Sequence, residues 1–181
     1  MAETPDAPGA IWVASDLAPD GTYVTAIHYS GDRSRILDRA AALAYAAEIH
    51  RAAVCAEHDA AIIRQLTSLG LPMEAGGHTV RALRADRPPL DDAATAPLRL
   101  VPGVSARTGA GFLDLYVDGK QVGQWDPVDA RGHASYILDA LAAADLDAAY
   151  HRYLISDHGL DADSAKAIIG GLAAHLAGDD R

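Results

Sequence analysis

Asp38–Leu66, DRAAALAYAAEIHRAAVCAEHDAAIIRQL, falls on Asp126–Leu154, DPVDARGHASYILDALAAADLDAAYHRYL, when the chain is slid along itself by 88 positions. Identities then stand at Asp38/Asp126, Ala42/Ala130, Ala46/Ala134, Ile49/Ile137, Ala52/Ala140, Ala56/Ala144, Asp59/Asp147, Ala60/Ala148, Ala61/Ala149, Arg64/Arg152 and Leu66/Leu154. One residue of slippage brings Gly70-Leu71 onto Gly159-Leu160 and Leu83 onto Leu172. Alanine matches arise by chance in windows this rich in alanine. The matches at Asp, Ile, Arg, Leu and Gly keep their order, and they point to a tandem duplication.

Outward from this stretch, each copy opens with strand signals. In the first copy Ile11–Ala14 and Thr22–Ser30 flank Pro19-Asp20-Gly21, a turn in which Pro presets φ and Asp bonds its own backbone. In the second, Leu98–Val101 and Gly111–Asp118 take those places, and Leu113, Leu115 and Val117 alternate with Asp114, Tyr116 and Asp118, the period of a half-buried strand. Asp118-Gly119 is a hairpin turn leading to a third strand over Lys120–Trp125, with Arg33–Leu37 as its counterpart. Glycine-rich Gly103–Gly111 precedes a strand rather than a helix, so it reads as a strand connector and not a phosphate loop.

Helices follow. Asp126-Pro127-Val128-Asp129 is a helix start: Asp126 caps, Pro127 suits the first position, and Asp129 complements the positive end of the dipole. Asp38 is its counterpart. Ala42, Ala46, Ile49, Ala53 and Ala56, and likewise Ala130, Ala134, Ile137, Leu141 and Ala144, step by three and four. Such stripes are expected to bury and to let backbones approach closely. A second stripe, Leu146, Ala149, Tyr150, Tyr153 and Leu154, is rotated from the first by about 140°, which predicts a kink near Asp145 and near Glu57–Asp59, with the tyrosines in the core. Gly70 and Gly159 stop these helices. A last helix, over Glu74–Ala85 or Ala162–Ala177, closes each copy, the second capped by Asp161.

The expected fold is therefore α+β: a β-meander plus helices unit, ββ(β)ααα, present twice and packed as an internal pseudo-dimer. The expected organisation is an N-terminal tail over 1–9, repeat units over 10–85 and 98–177, a Pro/Asp-rich linker over 86–97, and a frayed end over 178–181. Units of about 80 residues are too small to bury much core alone, which favours packing between the copies.

The formal charge of −10 and pI near 5.0 work against a phosphate backbone or an anionic membrane as partner. The single Cys55 forms no internal disulfide, and the Met1–Asp6 opening has no basic, apolar leader, so a cytoplasmic location is expected. Thirteen arginines against Lys120 and Lys166 suggest GC-rich bacterial coding.

No motif for nucleophile, phosphate or metal stands out. His28, His50, His58, His78, His133, His151, His158 and His175 include no Glu-x-x-His or His-Glu-x-x-His spacing, and no cofactor is expected. Asp147 and His151, four apart, could touch on one helix face. The asymmetry between copies is basic: His78, Arg81, Arg84 and Arg87 recur every three residues, whereas copy two has Ala167, Gly170 and Ala173 opposite the first three. Arg33, Arg35 and Arg39 form a second cluster. Guanidinium groups in one copy and small residues in the other suit an exposed surface for an acidic partner. These six arginines are the candidate site, and a non-enzymatic module acting through protein–protein contacts is the expected function; a homodimer is compatible with it. A nucleic-acid-associated protein using the same arginines and a metal-dependent or His/Asp acid–base enzyme are the alternatives.

Overall fold

The computed structural model describes residues 11–29, 33–87 and 99–178. The tail over 1–9, most of the linker over 86–97 and residues 179–181 lie outside them. The chain is α+β, with strands β1 (Ile11–Leu17), β2 (Tyr23–Tyr29) and β3 (Arg33–Leu37), helices α1 (Arg39–Ser68) and α2 (Met73–Ala85), strands β4 (Arg99–Val104), β5 (Gly111–Val117) and β6 (Lys120–Trp125), and helices α3 (Pro127–Ser156) and α4 (Ala162–Gly178). Two antiparallel three-stranded sheets run in the orders β1-β2-β3 and β4-β5-β6.

The turns form for the local reasons their residues supply. Between β1 and β2, the Asp20 carboxylate accepts from the Thr22 amide at 3.0 Å and from its hydroxyl at 2.7 Å. These bonds hold the Asp20 carboxyl below its ordinary range. Between β5 and β6, Asp118 at φ 50 and Gly119 at φ 75 form the left-handed pair of a type I′ hairpin, with Val117 opposite Lys120. Along β5, Leu113, Leu115 and Val117 are buried and the residues between them are not, as the alternation predicts.

Both long helices are capped as expected. Asp38 accepts from the Ala41 amide, and Asp126 from the amides of Val128 and Asp129. Asp161 caps α4 through the Ser164 amide and hydroxyl, which lowers its carboxyl pKa. At the C-terminus of α1 the Gly70 amide reaches the Thr67 carbonyl and the Leu71 amide the Leu66 carbonyl, a Schellman closure with Gly70 at φ 85. At the end of α3 the Leu160 amide reaches back to the Leu154 carbonyl. The extra residue of the sequence alignment is taken up in this wider closure.

Two helical expectations are corrected. α1 and α3 are each continuous over 30 residues, so two helices, not three, follow each sheet. The change of apolar phase near Asp145 does not interrupt the helix, and the second stripe is not core: Leu146, Tyr150 and Tyr153 are 56%, 49% and 52% exposed. α3 carries a buried stripe on one side and an apolar solvent-facing stripe on another. No break is needed to bury both, since only one is buried.

The described residues form two compact units. One holds those up to Ala42 together with those from Ile137 onward; the other is Leu43–Tyr136. Each unit combines one sheet with helical segments from both halves of the sequence. The first unit buries Ala26, Ile27, Tyr29 and Leu37 of its sheet, Ile137, Leu141 and Ala144 of α3, and Ala165 and Ile169 of α4. The second buries Leu100, Leu113, Leu115 and Val117 of its sheet, Ala46, Ile49, Ala53, Ala56 and Ile63 of α1, Val80 of α2 and Ala134 of α3.

The alanine stripes are buried as expected, with Ala42, Ala53, Ala56 and Ala130 fully excluded from solvent. Leucine at Ala46 or Ala134 adds volume where neighbours already close the surface, and each variant is expected to lose about 1–3 kcal/mol. Thermal melting reads this directly. Wild-type midpoints for both would mean the stripes have room to spare.

Candidate functional site

The six arginines have different fates. Arg33 and Arg35 lie on β3, in register with Tyr29 and Ile27. Arg39, at the start of α1, pairs with Asp145. These three belong to the first unit; Arg81, Arg84 and Arg87 belong to the second.

Arg84 is not part of a free face. Its Nε and Nη2 both lie 2.7 Å from Asp59 Oδ2. Arg87, just past the end of α2, brings Nη1 to 2.8 Å from Asp59 Oδ1, an ionic contact without the alignment of a hydrogen bond. Asp59 is fully buried on α1, while the Arg84 and Arg87 side chains keep 37% and 29% of their surface. An unpaired carboxylate is rarely buried in this way, and two guanidinium groups from the C-terminal end of α2 make it tenable. Arg84 and Arg87 thus tie α2 to α1. Arg84 is therefore committed within the second unit rather than free on the exposed surface expected for it.

Arg81 is exposed and makes no ion pair among the described residues. It lines a cavity of about 270 Å³ in the second unit. One wall is α2, whose Glu74, His78 and Arg81 lie within about 60° of one another around the helix. The other wall is Val104 at the end of β4 with Ser105 and Ala106 of the β4–β5 connector. Ile63 of α1 and Met73 add apolar surface to a lining that is otherwise partly polar. The connector closes on itself: the Gly109 amide donates to the Ser105 carbonyl, the Ser105 amide to the Ala110 carbonyl, and the Thr108 amide to Ser105 Oγ at 3.2 Å.

Two adjacent glycines shape this groove. A Cβ on Gly76 would stand 3.4 Å from the Ile63 side chain, so Gly76 lets α2 lie close on α1. A Cβ on Gly77 would meet nothing within 4 Å, so this position opens into the cavity. The shift of 89 that pairs Leu83 with Leu172 pairs Gly77 with Lys166 of α4. In the first unit Lys166 Nζ lies beside Gly21 in the β1–β2 turn, 3.6 Å from where a Cβ there would stand. A long side chain thus approaches the hairpin turn in one unit where bare backbone lines a cavity in the other.

The first unit gathers a separate polar cluster. Ser15 Oγ donates to Asp147 Oδ2 at 2.8 Å, and the rings of Tyr23 and His151 meet edge-on with centroids 5.9 Å apart. Burial, with Asp147 adding to it, raises the Tyr23 pKa. His151 Nε2 is shut off from solvent without a partner among the described residues. These contacts tie β1 and β2 to α3. In the second unit, Arg131 makes a two-pronged bond to Glu57 at 2.7 and 2.8 Å, which lowers the Glu57 pKa and raises that of Arg131.

His133 packs against Trp125, and the Trp12 and His28 rings stack at 4.8 Å. Among the described residues no group of three His, Cys, Asp or Glu is placed to hold a metal ion. No helix among them is long and apolar enough to cross a membrane.

No protein family, curated protein or solved structure matches this chain. Sequence reasoning singled out Arg81 and His78 but missed the cavity beside them. The signal was present in Gly76-Gly77: two helix-interior glycines each cost about 1 kcal/mol relative to alanine, and such a pair asks for a packing or binding reason.

Proposed function

We propose that this protein is a non-enzymatic binding module that engages a polypeptide partner at the groove between α2 and the β4–β5 connector, and that the module arose by tandem duplication of a βββαα unit. The single observation that carries the binding reading is Arg81. It is the one member of the His78–Arg87 series of arginines left without a carboxylate among the described residues, and it lines a cavity that also has apolar walls. A guanidinium with its donors uncommitted, next to apolar side chains, complements an acidic group carried beside an apolar one.

The duplication is supported by the repeated element order, by two sheets of the same strand order, and by helices of equal length starting 88 residues apart at Arg39 and Pro127. On this reading the copies have diverged at one corner. Gly77 leaves the groove open in one copy, and Lys166 occupies the matching helix position in the other.

Selection of random displayed peptides on the intact chain tests the binding reading. Enrichment of peptides pairing a carboxylate with an apolar residue is expected, and Arg81→Glu should abolish it. Gly77→Leu should do so independently by filling the cavity. Neither variant should unfold the protein: Arg81 is exposed, with an expected change under about 0.5 kcal/mol, and replacing a helix-interior glycine stabilises by up to about 0.8 kcal/mol. Identical enriched sequences from wild type and both variants would overturn the reading.

A further inference from the structure

We infer that the groove receives the C-terminal carboxylate of a polypeptide ending in an apolar residue, a refinement that rests on the binding-module reading above. Arg81 presents a planar fork of donors whose geometry matches one carboxylate. Facing α2 across the cavity, Ser105 Oγ already accepts the Thr108 amide at 3.2 Å. Its hydroxyl proton is therefore available to a second acceptor oxygen. Ile63, Met73 and Val104 provide the apolar surface for one side chain.

Glu74 sets the direction and argues against a polyanionic partner. It lies seven residues before Arg81 on the same helix face, about 10 Å along the axis. That is the length of about three residues of extended chain. A carboxylate at this distance repels a second acidic group but accepts a peptide N–H. A run of acidic or phosphorylated side chains, or a nucleic-acid backbone, would bring charge against Glu74. A chain terminus brings one carboxylate to Arg81 and uncharged backbone toward Glu74. The cavity volume of about 270 Å³ sits at the lower edge of small-ligand pockets. It suits the last one or two residues of a partner, captured end-on.

The test is an NMR titration of the full-length protein with acetylated tetrapeptides ending in leucine or phenylalanine, each as free acid and as C-terminal amide. The acids should shift the amides of Gly77 and Ser105 and the Arg81 Nε–H, and the amidated forms should bind at least about tenfold more weakly. Arg81→Gln should bring the acids down to the level of the amides, and Gly77→Leu should remove binding of both.

Equal affinity of acid and amide would overturn the inference, as would shifts mapping elsewhere or none by about 5 mM peptide. A third arm separates this from the broader reading. An amidated peptide with an internal aspartate beside leucine that binds the groove as well as the free acids would sink the terminal-carboxylate inference and leave the binding module standing. Failure of every peptide, together with displayed-peptide selection indifferent to Arg81 and Gly77, would sink both.

Discussion

Replacing Arg84 and Arg87 together by alanine is expected to lower stability by about 3 kcal/mol, at the lower end of the range for stripping a buried charge of its partners. The lower end applies because both guanidinium groups keep a solvent-facing edge. Asp59 has none: it is fully buried, and both of its oxygens face arginine nitrogens at 2.7–2.8 Å. Without them its carboxylate is left buried and uncompensated, or drags α1 toward water. Either single variant should cost less, because one guanidinium remains.

The network also has an internal control. Adding Asp59→Ala to the double variant removes the stranded charge and should recover part of the loss, since deleting a whole buried ion cluster is far gentler than deleting one side of it. Urea denaturation of wild type, Asp59→Ala, the double variant and the triple variant gives the coupling. A double variant as stable as wild type would mean that water already screens Asp59.

The second large effect is a loss of stability in mild acid that originates at His133. The imidazole is 5% exposed, packs on Trp125 at a centroid distance of 4.9 Å, and leaves Nε2 without a partner among the described residues. Burial pulls its pKa down from 6.5 to about 4. The folded protein therefore holds this ring neutral, whereas the unfolded chain takes up a proton below about pH 6.5. The unfolded state binds more protons through this interval, so stability rises with pH across it and falls as the solution is acidified from about 6.5 toward 4. The whole interval corresponds to about 3 kcal/mol.

Depressed carboxylates such as Glu57, held down by Arg131, lose their contribution only in more acidic solution. The histidine effect begins above pH 5 and can be read separately. His133→Leu should flatten the dependence of the melting midpoint between pH 7 and 5. A slope unchanged by that variant would place the acid sensitivity elsewhere.

Part of this protein is legible one residue at a time. Asp38, Asp126 and Asp161 announce their helix starts because a carboxylate can reach an amide two or three residues on, whatever the rest of the chain does. Asp118-Gly119 dictates its hairpin because few other pairs adopt positive φ without strain. The alternation in β5 and the alanine stripes of α1 and α3 predict their buried faces, because burial follows backbone period.

The continuity of α1 and α3 was misread for the opposite reason. An apolar stripe says which side chains would gain from burial, not whether a neighbour arrives to bury them, and Leu146, Tyr150 and Tyr153 are left facing solvent.

The sequence alone thus located the turns, the helix starts at Asp38, Asp126 and Asp161, and the alternation of β5, since each is settled by forces acting over a few residues, whereas it placed breaks inside α1 and α3 that the fold does not have. Tertiary structure decided the rest. Asp59 meets Arg84 across 25 residues and Ser15 meets Asp147 across 132, and no local preference specifies either encounter. Those distances also sorted the arginines. His78, Arg81, Arg84 and Arg87 carry the same spacing along the chain. Only the close seating of α2 against α1 gives Arg84 and Arg87 to a buried carboxylate and leaves Arg81, beside the bare backbone of Gly77, at the edge of an open groove.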